Sequence, residues 1–140
     1  MIVKANKDHL EKILDIELDS FDNPWSYQSF LNEINNDVGS NWVYLQHANL
    51  LGYMFGWIIQ GDYHINNIAV KVSARRKGLA KKMIDNIIFS PRIKNAYLEV
   101  SRLNESAIRL YEKIGFRENG VRKKYYSNGA DAILYKMELR

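Results

Sequence analysis

The sequence predicts an α+β fold in which about four helices flank a central mixed sheet that is mostly antiparallel. Strand-like runs follow one another between residues 42 and 72 with only short breaks, which is typical of antiparallel neighbours. Near residue 79 the hydrophobic period changes from that of a strand to that of a helix. An Asn-Gly pair at residues 128–129 then indicates a C-terminal hairpin.

The first part of the chain predicts one strand and two helices. In order, these are a strand over Ile2–Ala5, a helix over Lys7–Leu18 and a helix over Tyr27–Asn35. Asn6 or Asp8 is placed to cap the first helix and Ser26 the second, across a loop over residues 20–26. The inward face of the first helix is predicted to hold Leu10, Ile13, Leu14 and Leu18.

The rest of the chain alternates strands with two further helices. The predicted elements are strands over Trp42–Gln46, Leu51–Gln60 and Tyr63–Val72, a helix through Leu79–Ile88, a strand over Tyr97–Val100, a helix from Asn104, and strands over Phe116–Tyr126 and Ala132–Leu139. Ser90 and Pro91 end the first of these helices, and Gly115 caps the second. The resulting order is βααβββαβαββ.

Length and composition narrow the class of protein. The 140 residues predict one domain over 1–140, and 46% apolar with 26% charged residues is ordinary globular composition. No apolar run approaches the length of a membrane span, so we expect a cytoplasmic protein. The chain has no cysteine, which excludes disulfides, thiolate metal sites and a cysteine nucleophile. Its histidines, His9, His47 and His64, lack ligand spacing, so no metal is expected.

Charge is divided unevenly between the two halves of the chain. Residues 1–70 hold 3 Lys or Arg and 9 Asp or Glu, net −6, whereas residues 71–140 hold 17 and 7, net +10, which together give +4. Such a division suggests that the second half binds an anionic ligand, either nucleic acid or a small polyanion.

The stretch ARRKGLAKKMI, residues 74–84, places five cations around Gly78 where a helix is predicted to begin. Cations are disfavoured there, because a helix N-terminus already carries partial positive charge and unsatisfied N–H groups. A bound anion would explain why cations lie beside a helix N-terminus that is itself positive, and a glycine lets successive N–H groups converge on phosphate oxygens. A solvated basic turn and a nucleic-acid patch are the alternatives.

The segment NIAVKVSARRKGLA, residues 67–80, resembles the acetyl-CoA motif of the GNAT acetyltransferases, Q/R-x-x-G-x-G/A after a strand. The resemblance spans nearly the whole chain. It continues through FDNPWS (21–26), LEV (98–100), NESAIRLYEKIGF (104–116), RKKYY (122–126) and DAI (131–133). Together these motifs are similar to the RimI branch, which acetylates the N-terminal alanine of a ribosomal protein. Val72 replaces a common proline and Ala80 the second glycine, residues 89–95 are shorter than usual, and the Phe21–Trp25 loop has one extra residue.

The resemblance implies acetyl-CoA as co-substrate and assigns site residues. The cofactor-binding positions are Ile68, Ala69 and Val70 for the pantetheine arm, Arg76, Lys77, Gly78, Leu79, Ala80 and Lys81 for the pyrophosphate, and also Arg75 and Asn104. Glu99 matches the family's proton acceptor and Tyr111 its proton donor, while Trp25, Tyr125 and Tyr126 match positions near the acceptor. The implied partner is a protein or peptide N-terminus, such as that of a ribosomal protein; neither membrane nor nucleic acid is expected.

The residues themselves leave some of these roles open. Glu99 stands alone in an apolar run, where burial would raise the pKa of a carboxyl group toward a value useful for a base, but the solvated face of an edge strand fits the pattern equally. Tyr111 and the three acceptor-side aromatics fit core packing as well as function.

The sequence is therefore consistent with four functions. The leading hypothesis is an N-terminal acetyltransferase that transfers the acetyl group directly to the amine, because no cysteine is present to carry it. The others are transfer to a small amine or a lysine side chain, binding of coenzyme A without catalysis, and an RNA-binding module.

Overall fold

A computed structural model describes residues 1–139 and has seven strands and four α-helices. The strands are β1 (Ile2–Lys4), β2 (Gly39–Gln46), β3 (Asn49–Ile59), β4 (Asp62–Val70), β5 (Asn95–Ser101), β6 (Arg117–Arg122) and β7 (Ala132–Glu138). The helices are α1 (Leu10–Ser20), α2 (Tyr27–Ile34), α3 (Leu79–Ile88) and α4 (Glu105–Ile114). Their order along the chain confirms the predicted βααβββαβαββ. Short 3₁₀ turns over Lys7–His9 and Val72–Ala74 precede α1 and the α3 loop.

The seven strands form one sheet in the order β1-β2-β3-β4-β5-β7-β6. Every neighbouring pair is antiparallel except β4 and β5, which run parallel and are joined through α3. The predicted mixed, mostly antiparallel sheet is therefore confirmed. Among residues 1–139, no helix has both the length and the apolar character that crossing a bilayer requires.

Two hydrophobic cores lie on opposite faces of this sheet. Met54 points into one core with α3 and α4, while its neighbours Tyr53 and Phe55 point into the other with α1 and α2. Each helix buries its apolar stripe against one face, so the sheet is the shared wall between the cores.

A bulge in β4 breaks the alternation of that strand. Phe55 of β3 pairs with Asn67 and Gly56 with Ile65, so Asn66 has no counterpart. Gly56 accommodates the irregularity by donating its N–H to the Asn41 side chain at 3.1 Å. Before the bulge Ile65 belongs to the α3 core, and after it Ala69 belongs to the α1 core.

The bulge coincides with the point where β4 and β5 separate. The two strands pair over four positions only, from Asp62 opposite Asn95 to Ile65 opposite Leu98. Beyond these positions β4 remains paired with β3 on its other side, through Val70. The backbone edge of residues 66–70 that faces β5 is thus open, and the two strands form the walls of a wedge.

Three local predictions were wrong. Leu18 is 58% exposed, because the inward stripe of α1 continues from Leu10 and Ile13 to Glu17 instead. β6 ends at Arg122 rather than Tyr126, so the strand is shorter than predicted. The predicted Asn-Gly turn does form: the Tyr126 N–H donates to the Ala130 carbonyl oxygen at 3.2 Å and the Gly129 N–H to the Tyr126 carbonyl oxygen at 2.9 Å. Between β6 and this turn, the Asp131 carboxylate accepts hydrogen bonds from the Lys124 N–H (3.0 Å) and Lys123 Nζ (3.3 Å). Glu99 is the third, described with the site.

Candidate active site

The wedge between β4 and β5 opens into a cleft of about 990 Å³. It runs from the glycine turn before α3, past the open edge of β4, to the loop between α1 and α2. Of the sixteen predicted site residues, all except Lys77 and Tyr125 line it; the lining members are Trp25, Ile68, Ala69, Val70, Arg75, Arg76, Gly78, Leu79, Ala80, Lys81, Glu99, Asn104, Tyr111 and Tyr126. Residues distant in sequence are therefore brought to one cleft.

The glycine turn leaves the N-terminus of α3 open toward this cleft. Gly78 caps the helix with a left-handed φ of 78°, and Arg76 has a φ of 64°. Within residues 1–139, no side chain caps the helix and its first turn has no acidic residue, so N–H groups at its start have no side-chain acceptor there. Leu79, Ala80 and Lys81 of this turn line the cleft. Such a turn is suited to hold an anion.

The cations of the turn differ in what they contact. Lys81 pairs with Asp85 one helical turn further on, at 2.7 Å. Arg75 donates from Nε to the carbonyl oxygen of Val70 at 2.9 Å and from a terminal nitrogen to Ser20 Oγ at 3.2 Å. Its side chain therefore joins the end of β4 to the end of α1. Lys77 is exposed and lies outside the cleft lining.

Glu99 is exposed, contrary to the burial that its apolar neighbours suggest. In β5, Leu98 and Val100 point into the α3 core, so Glu99 between them points to the other face. On that face the carboxylate pairs with Arg122 Nε at 3.1 Å. Glu99 thus lies at the cleft wall on a solvated face, although β5 is a central strand and not the edge strand of the alternative interpretation.

Tyr111 lies opposite, on the inward side of α4. Its ring meets Phe116 edge to face, with the ring centroids 6.1 Å apart. Burial raises the pKa of Tyr111 to about 12, so the phenol keeps its proton near neutral pH. No group among residues 1–139 hydrogen-bonds to its hydroxyl, which leaves that O–H able to donate into the cleft. Asn104 caps the same helix by accepting from the Ala107 N–H at 3.3 Å.

At the far end, the acceptor loop (residues 21–26) borders the cleft. Trp25 packs against Phe30 and Phe55 of the α1 core, and Tyr126 of the β6–β7 loop lines the same cleft. The two loops are joined where Asn23 Nδ2 donates to Ser127 Oγ at 3.1 Å. Tyr125 is 55% exposed and packs on Tyr126 and beneath the Arg122 guanidinium, outside the cleft lining.

Sequence reasoning missed two buried polar residues in this cleft, Glu17 and Asn67. Glu17 is 2% exposed and accepts hydrogen bonds from the Tyr53 hydroxyl, the Asn67 amide and the Trp25 N–H. One signal was available: Glu17 lies seven residues after Leu10, on the apolar stripe of α1. The Asn66-Asn67 pair inside an otherwise apolar strand was the corresponding signal for the bulge.

Together these groups suit transfer of an acyl group from a phosphate-bearing carrier. The cleft offers an anion site, an open strand edge for an extended chain, an exposed carboxylate and a protonated phenol. Within residues 1–139, no three His, Cys, Asp or Glu side chains cluster so as to hold a metal ion.

Comparison with known proteins agrees with this geometry. The model of the acetyltransferase (GNAT) family matches residues 10–116. A candidate ribosomal protein bS18-alanine N-acetyltransferase of Bacillus subtilis is 32% identical over 130 residues, covering 89% of this chain and 86% of the relative. The N-alpha-acetyltransferase RimI of Mycobacterium tuberculosis is 29% identical over 134 residues, covering 89% and 82%.

Among solved structures, the ribosomal-protein-S18-alanine N-acetyltransferase of Escherichia coli superposes with a TM-score of 0.90 at 25% identity. The alignment covers 99% of this chain and 93% of that one. The resemblance thus extends over the sheet, both helix pairs and the loops that form the cleft.

Proposed function

The chain belongs to the GNAT family of acetyltransferases, and we propose that it acetylates the N-terminal α-amine of a protein, such as the N-terminal alanine of a ribosomal protein. As a member it is an N-acetyltransferase with acetyl-CoA as co-substrate. The observation that carries the proposal is the wedge at the β4 bulge, with Glu99 on one wall and Tyr111 on the other. We take residues 1–140 as one catalytic domain that works in the cytoplasm.

The residues that line the cleft fit acetyl-CoA. The open edge of Ile68, Ala69 and Val70 offers backbone groups to an extended pantetheine arm, as an added strand would use them, except the Val70 carbonyl oxygen, which accepts from Arg75 Nε at 2.9 Å. The uncapped start of α3 and the cations before it suit the pyrophosphate. Acetyl-CoA, when bound, supplies the thioester carbonyl carbon that the amine attacks.

Two side chains would move the protons. An α-ammonium has a pKa of about 8, so near neutral pH its deprotonation asks less of a base than that of a lysine ammonium, whose pKa is about 10.4. Glu99 takes that proton, directly or through a water molecule. Tyr111 gives its phenolic proton to the sulfur that leaves as the C–S bond breaks, and its free hydroxyl is suited to this.

Two features suit a cationic amine as the acceptor. The acceptor loop and the β6–β7 loop are linked by the Asn23–Ser127 hydrogen bond, which encloses the acceptor end between two loops. The acidic first half of the chain, net −6 over residues 1–70, favours a cationic substrate on that side.

The test is to incubate the protein with acetyl-CoA and a panel of amines and to locate the acetyl group by mass spectrometry. The panel holds peptides beginning with Ala, Ser and Met, an internal lysine peptide and spermidine. Acetylation of the α-amine of Ala- or Ser-starting peptides supports the proposal. Acetylation of only the lysine or spermidine overturns the α-amine assignment, and no transfer at all, with acetyl-CoA bound, overturns the enzymatic one.

Two variants test the assigned roles. Glu99→Gln and Tyr111→Phe should each lower turnover by about 100-fold or more while acetyl-CoA binding stays unchanged, since general acid–base groups contribute that much. Glu138→Gln and Tyr135→Phe are matched controls; Glu138 pairs with Lys136 at 3.4 Å and neither residue lines the cleft. Unchanged turnover in both active-site variants would show that Glu99 and Tyr111 do not have these roles.

Lines that intersect in double-reciprocal plots are expected for direct transfer of the acetyl group, and parallel lines would contradict it.

A further inference from the structure

Glu17 is a buried carboxylate in the cleft that the chemistry above does not use. It lies on the inward stripe of α1, is 2% exposed, and lines the acceptor end of the cleft with Trp25 and Asn67 nearby. Acidic side chains are rarely buried to this degree unless a cation or several hydrogen bonds accompany them.

All three of its hydrogen-bond donors are neutral. Oε1 accepts from the Tyr53 hydroxyl at 2.5 Å and from Asn67 Nδ2 at 2.8 Å, and Oε2 accepts from the Trp25 N–H at 2.9 Å. Burial and the adjacent Glu17 carboxylate raise the pKa of Tyr53, so its hydroxyl remains the donor. A carboxylate has about four acceptor positions. Three are occupied, and the one that remains belongs to Oε2.

No cation accompanies this carboxylate in the part of the chain that is described. Glu17 takes part in none of the ion pairs among residues 1–139. Arg75 comes near the end of α1, but its guanidinium contacts Ser20 and Val70. A buried charge is normally compensated by an opposite one, because its desolvation is costly. A cation that enters the cleft would supply this compensation.

We propose that Glu17 is an ammonium-binding residue, whose Oε2 accepts a hydrogen bond from the α-ammonium of the acceptor. This inference rests on the proposed function, which brings that cation to this end of the cleft. The two carboxylates then have separate tasks: Glu17 binds and orients the charged amine, and Glu99, on a solvated wall, receives its proton. Because Glu17 also fixes the Trp25 backbone, the ammonium and the acceptor loop are positioned by the same group.

The test compares two ligands that differ only in charge at one end. Dissociation constants are measured, with coenzyme A present, for an Ala-starting peptide and for the same peptide with the α-amine replaced by hydrogen. The protein should prefer the ammonium peptide by about tenfold or more, as expected for a hydrogen bond to a charged group. In Glu17→Gln the preference should fall to within about twofold, with affinity for the amine-free peptide retained.

A merely structural Glu17 gives a different result. If Glu17→Gln weakens both peptides equally, or leaves the preference intact, the inference is overturned. Glu33→Gln is the matched control, because Glu33 accepts from Trp57 Nε1 at 2.7 Å but lies outside the cleft lining. It should keep the full preference.

A second measurement needs no variant, in case Glu17→Gln does not fold. In a crystal structure of the wild-type protein with coenzyme A and the Ala-starting peptide, the amine nitrogen should lie within hydrogen-bond distance of Glu17 Oε2. An amine held by Glu99 alone overturns the inference. Failure of the proposed function is distinguishable, because wild-type protein then acetylates no peptide α-amine in the panel, whatever the behaviour of Glu17.

Discussion

Replacing Gly78 by alanine tests whether the left-handed turn before α3 binds the cofactor. An alanine at a φ of 78° costs about 1–2 kcal/mol, because its Cβ crowds the following carbonyl. A Cβ built at Gly78 meets no atom within 4 Å, so no further steric cost is added. If the variant relaxes the turn when no ligand is bound, this strain opposes binding, and the Kd for acetyl-CoA should rise about 5- to 30-fold.

The strain can weaken either acetyl-CoA binding or the stability of the free protein, and the two effects are measured separately. Calorimetric titration gives the Kd for acetyl-CoA, and urea denaturation gives the free energy of unfolding without ligand. Gly129→Ala is the matched control, since Gly129 has a φ of 84°, equally open surroundings and a position outside the cleft lining. It should lose stability but keep the Kd. An unchanged Kd together with unchanged stability in Gly78→Ala, or equal loss of binding in both variants, refutes the reasoning.

Two further predictions concern stability. Burial raises the pKa of Tyr63 and of Tyr111, the latter to about 12, whereas tyrosine in an unfolded chain titrates near about 10. The contribution of these tyrosines to the free energy of unfolding should therefore be fully present below pH ~10 and fall as the pH rises above it. Urea denaturation across this range measures the fall. A Tyr63→Phe variant with an equally steep fall would contradict the prediction. Gly56→Ala should destabilise the protein by about 3 kcal/mol, because its Cβ would lie 2.5 Å from the His64 carbonyl oxygen and from the Tyr63 ring. Denaturation of Gly56→Ala no different from that of Gly129→Ala would show that the bulge tolerates a side chain.

Local pattern predicted the elements of the fold because each leaves a signal within a few residues. Ser26 caps α2 by accepting from the Ser29 N–H at 3.1 Å, and Asn104 caps α4, both at the predicted positions. The glycine turn could also be predicted from the sequence, because cations at the start of a helix break the local rule that disfavours positive charge there.

What sequence could not supply is the three-dimensional environment of a side chain. Glu99 has apolar neighbours on both sides, yet alternation places it on the uncovered face of a central strand. Its partner Arg122 lies 23 residues away and meets it only because β5 and β6 both flank β7. The early end of β6 likewise depends on the contacts of Asp131, which lie between the strand and the tight turn at Asn128 and Gly129.

The inserted residue in β4 decides which side chains the later part of that strand presents to each core. If Asn66 were paired in the ladder instead of bulging out of it, the residues after it would exchange sides. Asn67 would enter the aliphatic core under α3, and Ile68 would face α1 in its place. Deletion of Asn66 would instead make Ile65 and Asn67 successive residues opposite Gly56 and Phe55, so both cores would keep their residues and only the bulge would be lost. The bulge at this one residue therefore keeps the two cores apart and marks the point where the strands open for a substrate.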